Sequence, residues 1–114
     1  MQKDKILITG AAGFLGQLSI DYFSKDYDLI LIDKKAIQHQ NFFKVDITNY
    51  AELNDLIKEK KPKIILHYAA EIFDNYNKNE INKNNINGTF NLINSANEND
   101  VKQIIFTSTF SIYE

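Results

Sequence analysis

The sequence predicts an α/β fold: an open parallel sheet with helices on both faces. Three observations point to it. Apolar runs of strand length alternate with segments of helical spacing along the whole chain. The first run leads into a glycine-rich turn, Thr9-Gly-Ala-Ala-Gly-Phe-Leu-Gly16, that opens a helix. An acidic residue, Asp33, closes the second run. A lone Gly-x-x-Gly-x-x-Gly is a weak signal, but the strand before it, the helix after it and the carboxylate beyond make it specific.

Each element follows from the residues. Lys5 to Thr9 is the first strand. Phe14, Leu15, Leu18 and Tyr22 recur at helical spacing and predict a first helix ending near Ser24. Asp28 to Ile32 is a short continuous apolar run, the pattern of a strand buried on both faces. Phe42 to Val45 reads as a third strand. Tyr50 to Lys60 reads as a helix with Leu53, Leu56 and Ile57 inward, Thr48 or Asn49 as its cap and Pro62 beyond its end. Lys63 to His67 is the fourth strand. A long helix carries Ile86, Phe90, Leu92, Ile93 and Ala96 and ends near Glu98; Gln103 to Thr107 is the fifth strand. The Asn- and Lys-rich stretch from Asp74 to Asn85 reads as a solvated loop and first helical turn. Right-handed crossovers then give a Rossmann-type sheet of order 3-2-1-4-5, truncated after strand 5. Its binding crevice is expected where the order reverses, between strands 1 and 4.

Size and composition set the bounds. A chain of 114 residues makes one domain, with no repeat and no linker. A net charge of −2 argues against nucleic acid or an anionic membrane as the main partner. The absence of cysteine excludes disulfides and thiol chemistry and fits a cytoplasmic location. The apolar start is broken by Thr9, Gly10 and Gly13, which argues against a signal peptide. No apolar run approaches the ~20 residues of a membrane span. The two histidines, His39 and His67, lie far apart in sequence and make no recognisable zinc site, so no metal is expected.

The glycine turn is a device for holding a diphosphate. Gly10 permits the tight exit from the strand, Gly13 leaves room for a pyrophosphate against the backbone, and Gly16 lets the helix pack closely on the sheet. The helix start adds free N–H groups and a dipole worth about 0.3–2 kcal/mol per anionic contact. Gly10, Ala12, Gly13, Phe14, Leu15 and Gly16 are therefore assigned to cofactor binding.

Five motifs in order resemble the N-terminal part of the extended short-chain dehydrogenase/reductases, the NAD-dependent epimerase/dehydratase group. They are Thr9-Gly-x-x-Gly-x-x-Gly16, Val45-Asp46-Ile47, His67-Tyr-Ala-Ala70, Asn85-x-x-Gly-Thr89 and Phe106-Thr-Ser-Thr-Phe-Ser-Ile-Tyr113. The resemblance implies an NAD-binding domain over residues 1–114 of a nucleotide-sugar epimerase, dehydratase or reductase. Such an enzyme moves a hydride between a sugar carbon and the nicotinamide.

Roles for single residues follow from that resemblance. Asp33 is placed to accept the adenosine ribose hydroxyls. A 2′-phosphate beside it would meet repulsion of up to roughly 4 kcal/mol, which favours NAD over NADP. Lys34, assigned to the cofactor site, and Lys35 work against that preference, since a cation can neutralise the phosphate. The resemblance implies that the Asp46 carboxylate takes the adenine amino group and the Ile47 N–H a ring nitrogen; Asp46 as a cap of the next helix is the other reading. Tyr68, Ala69 and Ala70 leave the fourth strand on the cofactor side, where small residues let the backbone approach. Asn85 is implied near the diphosphate, and Thr107 at the cofactor-facing end of the last strand. Thr109, four residues before Tyr113, matches the family's catalytic Ser/Thr, with Ser108 as the alternative. His67 reads as a hydrogen-bonded structural histidine rather than a proton donor.

The sequence departs from the family at its end. The family's Tyr-x-x-x-Lys is absent up to Glu114, and Tyr113 is followed by no Lys. Such a base is worth ~10²–10⁴ in rate, so this chain alone is expected to bind cofactor without turnover. Two further readings stand: a non-catalytic dinucleotide sensor, or a free-standing interaction module. By the resemblance, the nucleotide-sugar is expected as the substrate of a longer parent. Ile104, Ile105 and Phe106 are apolar on successive positions, so the last strand is expected to need cover from more chain or from a second copy, as in a homodimer.

Overall fold

A computed structural model describes residues 2–68 and 78–107, with side chains from residue 83 onward in the second segment except that of residue 84. The elements are β1 (Lys5–Thr9), α1 (Phe14–Phe23), β2 (Asp28–Asp33), β3 (Phe42–Lys44), α2 (Tyr50–Lys60), β4 (Ile64–His67), α3 (Lys78–Glu98) and β5 (Gln103–Phe106). The five strands are parallel and ordered β3-β2-β1-β4-β5, as expected. In register, Leu7 pairs with Ile30 on one side and Ile65 on the other.

Successive strand residues point to opposite faces, and the sequence supplies aliphatic side chains for both. Leu7, Ile30, Ile32 and Ile65 pack with Val45, Ile47, Leu53, Leu56 and Ile57 of the β3–α2 segment and with Leu92 and Ala96 of α3. On the other face Ile6, Ile8, Leu29, Leu31 and Leu66 pack with Ala11 and with Ile20 of α1. Each fully buried aliphatic side chain contributes about 1.5–3 kcal/mol. That two-sided burial explains why β1 and β2 read as continuous apolar runs rather than as alternation.

The helices obey their local signals in part. Asn49, of the two candidate caps, accepts a hydrogen bond from the Glu52 N–H at 3.2 Å, and Lys61 ends α2 in the left-handed conformation just before Pro62. The stripe that identified α1 faces outward. Phe14, Leu15, Leu18 and Tyr22 are exposed, while Gly16, Ser19 and Ile20 are buried. The cause is proximity. A Cβ on Gly16 would meet the Gly10 carbonyl oxygen and lie 2.8 and 2.9 Å from Ala11 Cα and C. A helix that close to the strand end accepts only small residues inward there. Helix α3 divides its stripe: Leu92 and Ala96 are buried, whereas Ile86, Phe90 and Ile93 are exposed. Among the described residues no helix is long and apolar enough to cross a membrane.

Candidate functional site

The carboxyl ends of β1, β2 and β4 meet where the strand order reverses, and they deliver Thr9, Asp33 and His67 there. From β1 the chain enters the glycine turn. Gly10 has φ 71°, a left-handed conformation that disfavours any side chain. The Gly13 N–H closes the turn on the Gly10 carbonyl at 3.0 Å. Gly13 then starts α1 with φ −81° and ψ 176°, which any residue adopts. No side chain caps this helix and no acidic side chain stands in its first turn. Its N–H groups and positive dipole end are thus left for an outside acceptor.

Asp33 ties β2 to that turn. Its Oδ2 accepts the Ala12 N–H at 2.9 Å and its Oδ1 accepts the Lys35 N–H at 3.0 Å. The Ala12 N–H is thus engaged by Asp33 in this structure. Each carboxylate oxygen keeps lone-pair capacity for a further donor such as a ribose hydroxyl.

Asp46 holds a turn of its own. Its Oδ1 accepts the Thr48 N–H at 3.0 Å and the Thr48 hydroxyl at 2.8 Å, and the Asn49 N–H donates to the Asp46 carbonyl at 2.9 Å. The Thr48 N–H does most to hold the carboxyl below its ordinary pKa; burial opposes it, and the Thr48 hydroxyl and the Lys34 charge add to the lowering. Helix α2 is capped by Asn49, so Asp46 is not its cap.

His67 is buried, and both ring nitrogens meet hydroxyls: Nδ1 lies 2.7 Å from Thr9 Oγ1 and Nε2 3.2 Å from Thr89 Oγ1. Thr9 Oγ1 also accepts the Tyr68 N–H at 3.0 Å. Burial pushes the imidazole pKa down to about 4, so the ring is neutral at pH 7. It joins β1, β4 and α3 as a structural pin, in agreement with its sequence reading.

The remaining assigned residues fall as follows. The Tyr68 hydroxyl bonds Ser19 of α1 at 2.8 Å, so its ring braces the α1 face. Asn85 is half-buried on α3, four residues before Thr89. The Thr107 hydroxyl donates a long bond, 3.4 Å, to the His67 carbonyl. Ala69, Ala70, Ser108, Thr109 and Tyr113 lie outside the described residues. Among the described residues no cluster of His, Asp or Glu could hold a metal ion.

Two contacts went unread in the sequence. Asn91 Nδ2 donates to the Ile47 carbonyl at 2.8 Å, and Gly88 lies against the Ile47 side chain. The available signal was a glycine and a polar residue three positions apart beside the buried Leu92.

The NAD dependent epimerase/dehydratase family matches residues 6–114. The chain is 31% identical to the bifunctional protein GAL10 of Candida maltosa, covering 99% of this chain and 86% of that relative. Its structure is similar to the UDP-Glc/GlcNAc 4-epimerase of Campylobacter jejuni, with TM-score 0.84 and 27% identity over 97% of this chain and 39% of that one. It is also similar to the Bordetella bronchiseptica enzyme WbmG, solved in complex with NAD and UDP, with TM-score 0.79 and 25% identity over 89% of this chain and 36% of WbmG. The chain thus spans less than two fifths of either solved protein. Motifs, sheet order and these likenesses agree: the chain belongs to the NAD dependent epimerase/dehydratase family, within the extended short-chain dehydrogenase/reductases.

Proposed function

We propose that this chain binds NAD across the carboxyl ends of β1, β2 and β4, as the dinucleotide-binding part of a nucleotide-sugar epimerase, dehydratase or reductase. The observation that carries the reading is Gly13. Gly10 is required by its positive φ and Gly16 by the backbone beside it. Gly13 has an ordinary backbone, is exposed, and a Cβ there would meet only the Gly10 oxygen at 3.4 Å. The fold does not need a glycine at that position. A ligand pressed against the start of α1 does, and an uncapped helix start suits a diphosphate.

The rest of the reading builds on that anchor. Asp33 orients the ribose and disfavours a 2′-phosphate through its charge. Lys34 is drawn on by Asp46, which weakens it as a phosphate partner. Asp46 and Ile47 take the adenine, and Asn85 and Thr107 flank the diphosphate and nicotinamide side. NAD, when bound, supplies the acceptor for a hydride from a sugar carbon. Thr109 is assigned the hydrogen bond to the reacting sugar oxygen, by its place in the segment that ends at Tyr113. The likeness to proteins solved with NAD and UDP supports both ligands.

Thermal unfolding tests the anchor. NAD at 100 times its dissociation constant adds about 2.7 kcal/mol to the stability of a binder. We expect the wild-type chain to melt higher with NAD. Gly13→Val should melt normally alone and gain nothing from NAD. An equal gain in the variant removes the diphosphate from this turn.

A further inference from the structure

One turn of α3 grips the segment that the proposed function gives to adenine. Asp46 to Asn49 form a turn closed by the Asn49 N–H on the Asp46 carbonyl, with Ile47 and Thr48 at its centre. Ile47 is held at two points. Its carbonyl accepts the Asn91 amide at 2.8 Å. Its side chain fills the space of the missing Gly88 side chain: a Cβ on Gly88 would lie 2.6 Å from Ile47 Cδ1 and 2.7 Å from Cγ1. Ile47 is buried in the core cluster that includes Leu53 and Leu92, so its side chain has little room to swing away. Thr48 meanwhile pins the Asp46 carboxylate through two hydrogen bonds.

From this we infer that Asn91 is a positioning residue for base recognition: with Gly88 it fixes the orientation of the Asp46–Ile47 turn and so sets the preference for adenine over other purines. The physical reason is directional. A carboxylate and a neighbouring N–H read a base edge only if both are held to a few tenths of an ångström. The peptide that follows Ile47 is held at its N–H by the Asp46 carboxylate, and the Asn91 bond holds its carbonyl as well, so both ends of the peptide are fixed. The same helix presents Thr89 to His67, and through it to Thr9 beside the glycine turn. Helix α3 therefore spans the two ends of the binding crevice and holds them at a set separation.

The inference rests on the adenine reading of Asp46 and Ile47, and its test separates the two. Asn91→Asp keeps the shape of the side chain and removes the donor. Two measurements on the chain decide. The first is hydrogen exchange of the Thr48 and Asn49 amides without ligand. The second is calorimetric binding of NAD and of nicotinamide hypoxanthine dinucleotide, which lacks the adenine amino group. We expect the wild type to prefer NAD. In Asn91→Asp both amides should exchange faster while those of β1 and β4 do not change, and the preference should shrink by about tenfold, the scale of one lost hydrogen bond. Gly88→Ala, which pushes on Ile47, should lose preference in the same direction. A wild-type preference that survives intact in both variants overturns the role of Asn91 alone. A wild type that binds the two dinucleotides equally overturns the adenine reading, and the inference with it.

Discussion

His67 shows how one side chain can be structural and still carry a measurable signature. Its two ring nitrogens bond the hydroxyls of Thr9 and Thr89, and its ring packs edge-on against Phe106 with centroids 5.6 Å apart. Burial holds its pKa at about 4, against 6.5 for a free imidazole. The unfolded chain therefore binds more protons between those values, and stability rises with pH across that window. Read downward, the stabilising contribution is complete above pH 6.5 and is lost as pH falls toward 4. The linkage is worth about 3 kcal/mol. Urea unfolding at pH 7 and pH 4.5 measures it, with His67→Gln as control, since glutamine offers a donor and an acceptor but does not titrate. The wild type should lose more stability than the variant over that interval. Equal losses would mean that the imidazole charges freely in the folded chain. Asp46 acts in the opposite direction in charge but the same in pH: its lowered pKa also favours the fold above the carboxylate range.

At the scale of elements, the three glycines of the first turn divide into two that the backbone requires and one that it does not. Gly10→Ala forces a side chain into the left-handed region, a strain of about 1–2 kcal/mol. Gly16→Ala drives a methyl into the backbone of Gly10 and Ala11, and α1 must shift off the sheet. Overpacking of that kind costs about 1–3 kcal/mol. Gly13→Ala should stay within about 0.5 kcal/mol of wild type. Denaturant midpoints of the three variants check the division, and a Gly13→Ala as unstable as Gly16→Ala would contradict it. The same geometry explains what could be read in advance. The sheet order was legible because β1 and β2 are aliphatic at every interior position and the glycine turn marks their connection. The orientation of α1 was not. Periodicity finds a stripe at Phe14, Leu18 and Tyr22 but does not say which way it faces, and the close approach at Gly16 turns it outward. The grip of Asn91 on Ile47 joins residues 44 positions apart; the Gly88–Asn91 spacing marks one side of the contact but does not name its partner.

For the whole molecule, the two edges of the sheet differ in how well they are protected. At one edge β3 is three residues long and ends on an exposed lysine, Lys44, which discourages pairing with another chain. At the other, β5 pairs with β4 and, among the described residues, with no other strand. Ile104 tucks against the α2–α3 side of the core, while Ile105 and Phe106 are 43% and 47% exposed. Helix α3 adds Ile86, Phe90 and Ile93 to the exposed apolar surface. An edge strand carrying two large apolar side chains is a template for association, because a further strand would satisfy the backbone groups of its open side and cover its side chains together. We therefore expect this chain to associate with itself as concentration rises, visible in sedimentation velocity as a shift to larger species. Ile105→Lys should suppress that shift, since a lysine on an edge strand opposes pairing, and it should do so with little loss of stability because the position is already partly in water. A wild-type chain that sediments as a monomer at every concentration would show that the β5 edge is protected after all.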